Sequence, residues 1–183
     1  MFAAIILVLI GAVVAAAVVL FNDIVGKRNL MQEAWSGIDV QLKMRHDLVP
    51  GLLESVKGYV QYERNLLEEI TDLRAKMFRT RTVGEKSGVE NEISGFIRDV
   101  FAIGEAYPDL KANAGFLDFQ KSLAEIEDQL QTARRHYNGT VRNYNTAIES
   151  FPGNLVAGMF NFHNAEIFEM EYAIERRVPD ATF

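Results

Sequence analysis

Three histidines, His46, His136 and His163, are where a chain without cysteine would build metal or acid–base chemistry. A helical di-iron site needs Glu-x-x-His, which sets a carboxylate and an imidazole on one helix face. The residues three before these histidines are Lys43, Ala133 and Phe160, so that site is not encoded. The chain also lacks His-Glu-x-x-His, Gly-x-Gly-x-x-Gly, a Walker loop and the Gly-x-Ser-x-Gly elbow. Without cysteine it has no thiolate nucleophile, disulfide or Cys-ligated metal. The expectation is a protein that is not an enzyme, with no catalytic, cofactor-binding or metal-binding residues.

Other polar residues stand where apolar ones belong. Arg45 and Glu63 fall on an otherwise apolar helical stripe, either as a polar site inside a bundle or as register-fixing pairs. Tyr137-Asn138 and Tyr144-Asn145 repeat seven residues apart, which sets two phenols on one helix face with two amides beside them. They form either a ligand pocket or a hydrogen-bonded tyrosine layer. Asp39 and Asn113 belong either to a contact network or to helix caps.

The elements that position these residues follow from hydrophobic patterning. Residues 1–21 contain no charged, amide or hydroxyl side chain, and thirteen of them are Leu, Ile, Val or Phe. A hydrocarbon core about 30 Å thick takes roughly 20 helical residues to cross, so residues 1–22 read as a transmembrane anchor. A cleaved signal is the alternative, given Ala15, Ala16 and Ala17. It is disfavoured by the missing basic n-region and by the length of the run. Gly11 and Ala15, with Ala12 and Ala16 beside them, form a small-residue face on which spans can pack. Alanine-rich spans also produce such a face by composition alone. Lys27 and Arg28 follow at the membrane interface. By the positive-inside rule they put the N-terminus outside and the remaining chain in the cytoplasm.

All 19 Lys and Arg, 25 Asp and Glu and 3 His lie beyond the anchor and leave a net charge of −6. An acidic domain of this kind lacks the basic face that nucleic acid requires. A heptad seam runs Ile24, Arg28, Met31, Trp35, Ile38, Leu42, Arg45, Val49, Leu52 and on to Met77, with Pro50 expected to kink it. Turn and capping residues predict a hairpin loop over 79–88. A second helix then carries Val89, Ile93, Phe96, Val100 and Ile103 and ends near Tyr107. The residue before a proline is pushed out of the helical region, while Pro108 suits the first turn of a new helix from about Asp109. Its face reads Phe116, Phe119, Leu123, Ile126, Leu130, Ala133, Tyr137, Val141, Tyr144, Ile148 and Phe151 before Pro152-Gly153-Asn154 breaks it. Residues 155–174 form a last segment of unassigned helical phase, and 176–183 a frayed tail. The predicted fold is all-α, a transmembrane helix leading into one antiparallel three- to four-helix bundle domain over residues 23–175.

Ala34-Trp35-Ser36-Gly37-Ile38-Asp39-Val40-Gln41-Leu42-Lys43, then Asp47-Leu48-Val49-Pro50 and Val56-Lys57-Gly58-Tyr59, resembles the signature of the bacterial LemA family. So does Glu105-Ala106-Tyr107-Pro108-Asp109-Leu110-Lys111-Ala112-Asn113, followed by Phe116 and Gln120, Ala133-Arg134-Arg135, Tyr137-Asn138, Tyr144-Asn145 and Phe151-Pro152. The match covers about residues 20–152. Met44 stands where the family has a basic residue and Gly51 where it has Asn, and the C-terminal segment is only loosely similar. The resemblance implies a membrane anchor and a helical bundle of bromodomain-like type in the bacterial inner membrane. It also implies an association of one branch, in magnetosome-forming bacteria, with shaping internal membranes, and of family genes with those of membrane proteases.

The functional expectation is a scaffold that self-associates in, and shapes, a bacterial membrane, with the lipid bilayer and further copies of the chain as partners. Phe160, Phe162 and Phe168 are its candidate self-association or partner contacts, unless they only close the bundle. The alternative is an adaptor that docks on another membrane protein such as a protease or signalling complex.

Overall fold

The computed structural model describes residues 1–56, 72–73, 75–76, 79–80 and 82–169. The expectations on Glu63, on the seam from Lys57 to Ile70, on Met77 and on the tail 176–183 lie outside these residues. Among the described residues the secondary structure is helical, with no strand. The helices are α1 (Phe2–Val56), α2 (Val83–Ala106), α3 (Pro108–Lys111), α4 (Ala114–Glu149) and α5 (Gly153–Phe160).

Among the described residues one helix is long and apolar enough to cross a membrane, the start of α1. Its most apolar window has a mean hydropathy of 3.2 and no residue of it is buried. Packing begins at Leu20 and Phe21, and from there α1 narrows to one buried stripe: Ile24, Ala34, Ile38, Leu42, Arg45, Val49 and Leu52. Arg28 lies on the same seam but is exposed, and α1 continues unbroken through Pro50, which faces outward.

Two compact units are built on this chain. One comprises residues 1–42 and 128–167. Its core gathers Ile24, Tyr144, Ile148, Val156 and Ala157, with Phe21, Met31 and Phe162 packed on it. Ile24 meets the Tyr144–Ile148 end of α4, whereas Trp35 further on meets Tyr137, so the two helices run antiparallel. The other unit comprises residues 43–127 and 168–183. Its core joins Val49 and Leu52 to Leu73, to Val89, Ile93, Phe96, Ile97 and Val100 of α2, and to Leu110, Phe116, Phe119 and Leu123.

Several boundaries differ from the sequence expectation. The loop over 79–88 ends early, because α2 starts at Val83 with a reciprocal cap. Thr82 Oγ1 accepts from the Glu85 N–H at 3.1 Å, and Glu85 Oε2 accepts from the Thr82 N–H at 3.1 Å. Gly84, Ser87 and Gly88 therefore belong to the helix. Tyr107 ends α2 in extended backbone, φ −118° and ψ 98°, as a residue before proline must. The helix expected from Asp109 is a single turn, α3, after which Asn113 Oδ1 accepts from the N–H groups of Gly115 at 2.9 Å and Phe116 at 3.2 Å and opens α4. Phe151, expected on the core face, is outside it and 80% exposed, because α4 stops at Glu149.

The largest difference is C-terminal. Within the described part of the last segment, residues 155–169, the helix stops early: α5 ends at Phe160, Asn161 takes the left-handed conformation (φ 55°, ψ 42°), and the Phe162 N–H returns to the Ala157 carbonyl at 3.0 Å. This is a C-terminal helix stop of the kind that asparagine tolerates almost as well as glycine. Residues 162–169 then continue without regular secondary structure.

Gly153 starts α5 where a Cβ would overlap the carbonyl oxygen of Ala147, a backbone atom with nowhere to go. Gly95, in α2, has open space around the same position. Gly153→Ala is therefore expected to destabilise by about 1–3 kcal/mol through overpacking, whereas Gly95→Ala stabilises by about 0.5–1 kcal/mol. Thermal unfolding followed by circular dichroism checks both signs. Equal effects would contradict the close approach at Gly153.

Candidate functional site

Two polar constellations lie inside the helical packing. In the second unit Arg45, on the buried stripe of α1, is 2% exposed, and Glu90 on α2 is fully buried. Arg45 Nη1 donates to Glu90 Oε2 at 2.9 Å, and Nη2 lies 2.8 Å from both Ser94 Oγ and Glu127 Oε1. His46 Nε2 lies 2.8 Å from Glu90 Oε1. Ser94 Oγ donates to the Glu90 carbonyl at 2.8 Å and tightens the same helical turn. Three helices thus meet at one guanidinium, which α1 carries and to which α2 and α4 supply the acceptors. Of the two readings of Arg45, the geometry is that of a register-fixing pair.

Glu90 and Ser94 were not found from sequence. Their signal is weak: they sit four apart and flank the stripe of Val89 and Ile93, where either reads as a solvated edge residue.

The second constellation is in the first unit and explains the Tyr-Asn repeat. The phenols of Tyr137 and Tyr144 do not bond to each other. The Tyr137 hydroxyl donates to the Glu166 carbonyl at 2.9 Å, and that of Tyr144 to the His163 carbonyl at 3.1 Å. Asn145 makes a two-point contact: its Nδ2 donates to the Ala165 carbonyl and its Oδ1 accepts from the Ala165 N–H, both at 2.9 Å. Residues 163–166 therefore run antiparallel to α4. Seven helical residues rise about 10 Å, the distance three residues of extended chain cover, so the segment lies stretched along the helix. Its backbone has no helix or sheet to bond with, and these side chains supply hydrogen-bond partners for its peptide groups. Asn138, the fourth member of the repeat, is half-buried.

Burial raises the pKa of Tyr137 above its ordinary 10.0, and the charge of Glu166 adds to the rise. Burial raises Tyr144 as well, opposed by the positive charge of Arg28.

The remaining sequence candidates separate. Trp35 packs on Tyr137, ring centroids 5.1 Å apart, and Asp39 is half-buried. Ser36 only returns its hydroxyl to the Gln32 carbonyl one turn back, at 3.2 Å. Lys27 pairs with Asp23, a turn earlier on α1. Gly11, Ala12, Ala15 and Ala16 are all exposed. Tyr107, Pro108 and Asn113 form the junction between α2 and α4. Phe168 is fully buried, so it closes a core and offers nothing to a partner. Phe162 is half-buried with its ring centroid 5.8 Å from that of Phe21, and Phe160, 4.7 Å from the same ring, is half exposed. A shallow cleft of about 380 Å³ lined by Leu20, Asp23, Lys27, Ser150 and Phe151 opens nearby. Among the described residues no three His, Asp or Glu side chains converge on a metal-sized space.

These features define an all-helical protein with an N-terminal candidate membrane span and interior polar groups that bind its own chain. The LemA family profile matches residues 34–183, and the chain belongs to the LemA family. It is 31% identical to Protein LemA of Metamycoplasma hominis over 81% of this chain and 68% of that one. It is 21% identical to Magnetosome protein MamQ 2 of Paramagnetospirillum magneticum over 86% of this chain and 68% of the relative. With Magnetosome protein MamQ of Magnetospirillum gryphiswaldense it shares 26% identity over 44% of this chain and 30% of the relative.

Two outcomes follow. Removing one partner of a buried ion pair costs about 3–5 kcal/mol, while replacing both by apolar groups is often neutral. Arg45→Met alone should therefore destabilise by that amount, and Arg45→Met with Glu90→Met should recover most of it. Denaturant unfolding measures this, and a double variant no better than the single would refute the pairing.

The tyrosine contacts make a separate expectation. Both phenols stay protonated in the folded chain after those of the unfolded chain begin to ionise near 10.0. Their contribution is complete below that pH and is lost as pH rises above it. Tyr137→Phe with Tyr144→Phe should lower stability at neutral pH, by about 1 kcal/mol per lost bond, and flatten the alkaline loss. An unchanged alkaline slope in a pH series of unfolding curves would contradict the burial of the two hydroxyls.

Proposed function

We propose that the protein is a non-enzymatic, membrane-anchored structural module that self-associates to scaffold or shape a bacterial membrane. The observation that carries this reading is the engagement of the polar side chains suited to chemistry. Arg45, His46, Glu90, Tyr137, Tyr144 and Asn145 each hold another part of the same chain in place. Such residues build a rigid body rather than a reaction centre. The resemblance to magnetosome proteins supports the same reading, since those relatives are named for an organelle.

The span supplies the means of association. A Cβ on Gly11 would meet nothing within 4 Å, and Ala12, Ala15 and Ala16 continue that open surface. Small residues at this spacing let helix backbones approach closely in lipid, where van der Waals packing drives association. In this reading Lys27 and Arg28, the basic residues that follow the span, favour a cytoplasmic domain by the positive-inside rule.

Light scattering of the full-length protein in mild detergent should give a defined multimer. Gly11→Ile with Ala15→Ile should shift it to a smaller mass. A monomer across detergents and concentrations would sink the scaffold, and stoichiometric recovery of a second membrane protein with that monomer would establish the adaptor instead.

A further inference from the structure

We infer that α5 is a second membrane contact, an interfacial helix whose outer face lies in the lipid headgroup and acyl boundary beside the span. The helix Gly153–Phe160 contains no charged residue. It buries Gly153, Val156 and Ala157 against its own unit and turns Leu155 and Met159 outward, 60% and 78% exposed. Phe151 just before it is 80% exposed and Phe160 at its end 55%. In water this would be a continuous apolar patch with no covering, which a soluble surface rarely tolerates.

Its position names the occupant. Helical residues 2–21 rise about 30 Å, the thickness of a hydrocarbon core, so Phe21 marks the level at which α1 leaves it. The Phe160 ring centroid is 4.7 Å from that of Phe21, and α5 packs on the same stretch of α1 through Val156, Ala157 and Ile24. The exposed face is thus continuous with the lipid-facing surface of the span. The polar groups begin just beyond, with Asp23 and Lys27 on α1 and Glu149 on α4, which accepts from Asn164 Nδ2 at 2.6 Å. Bulky apolar side chains exposed at this depth gain by leaving water for the acyl boundary, and no charge on α5 opposes their immersion.

The inference rests on the membrane-span reading of residues 2–21, and the test separates the two. The chain has no cysteine, so single nitroxide labels can be installed at Met159→Cys and at Leu155→Cys. Leu9→Cys serves as the span reference and Thr132→Cys, exposed on α4, as the aqueous one. Full-length protein is reconstituted in nanodiscs of phosphatidylcholine with phosphatidylglycerol, and collisions with oxygen and with an aqueous nickel chelate are measured by spin resonance. Labels at 159 and 155 should show an oxygen-to-nickel ratio several-fold above that at 132 and approaching that at 9. A ratio at the level of 132 while 9 remains in lipid overturns the inference and leaves the anchor standing. If 9 is also in water, the span reading fails and the inference falls with it. Low collision with both reagents, with dipolar broadening between labels, puts a second copy over the patch and also overturns lipid contact.

Discussion

One helix changes its surface partway along its length. Over its first twenty residues α1 is apolar on every side and buried on none, and from Ile24 onward it keeps a single buried stripe. The change occurs within one turn, between Leu20 and Ile24, and much of the first unit is arranged around it. Phe21 receives Phe160 and Phe162, and Ile24 receives Tyr144, Ile148 and the inner face of α5. A stripe that continued without change into the apolar run would leave nothing to specify where packing should start. Asn22 and Asp23 end the uniform run and set that point.

The interior polar groups answer a different need, because apolar heptads alone fix which faces meet but tolerate slips by a turn. A guanidinium that must reach Glu90 and Glu127 from α1 allows only one register, since a slip strands a buried charge. That penalty, several kcal/mol, is comparable with the whole net stability of a domain. The Tyr137, Tyr144 and Asn145 contacts act in the same way on a segment that has no regular structure to fix its position. The buried ion pair adds little net stability over apolar side chains of the same volume, and the tyrosine and asparagine bonds add about 1 kcal/mol each. Both networks add a large cost for alternative arrangements.

Much of this was legible in the sequence because helix periodicity is local. The seam of α1, the break at Tyr107-Pro108, the face of α4 from Phe116 to Ile148 and the stop near Pro152 all rest on residues within a turn or two of one another. The positions of Arg45 on the seam and of Asn113 near a helix boundary follow the same rule, while what each of them contacts was left open. The start of α2 was missed although Thr82 and Glu85 spell a capping box, because Gly84 and Gly88 weigh toward a loop when read alone. Glu90 and the stretched course of residues 162–169 were not legible. Both depend on partners tens of residues away, and an extended segment laid on a helix shows neither the period of a strand nor that of a helix. Tyr at seven-residue spacing was the visible half of that contact. Its other half is backbone, which every sequence contains.

A single span fixes where a domain is held but leaves it free to rotate about the membrane normal and to tilt. In the proposed scaffold tilt would matter, since neighbouring domains would pack at an angle set by their orientation to the surface. A second contact at α5 removes that freedom without a second span. Fully burying a side chain the size of Leu, Met or Phe is worth about 1.5–3 kcal/mol, so partial immersion of Phe151, Leu155 and Met159 suffices once the span already holds them at the bilayer. The contact is then intramolecular, so a weak affinity is enough to form it. The stretch of α1 that carries Phe21 and Ile24 would thus fix both the insertion depth of the span and the inclination of the first unit, because α5 is bonded into that unit through the turn at Asn161 and the Tyr144 and Asn145 contacts beyond it. Depth and inclination would then be one structural variable, set by where the apolar run ends.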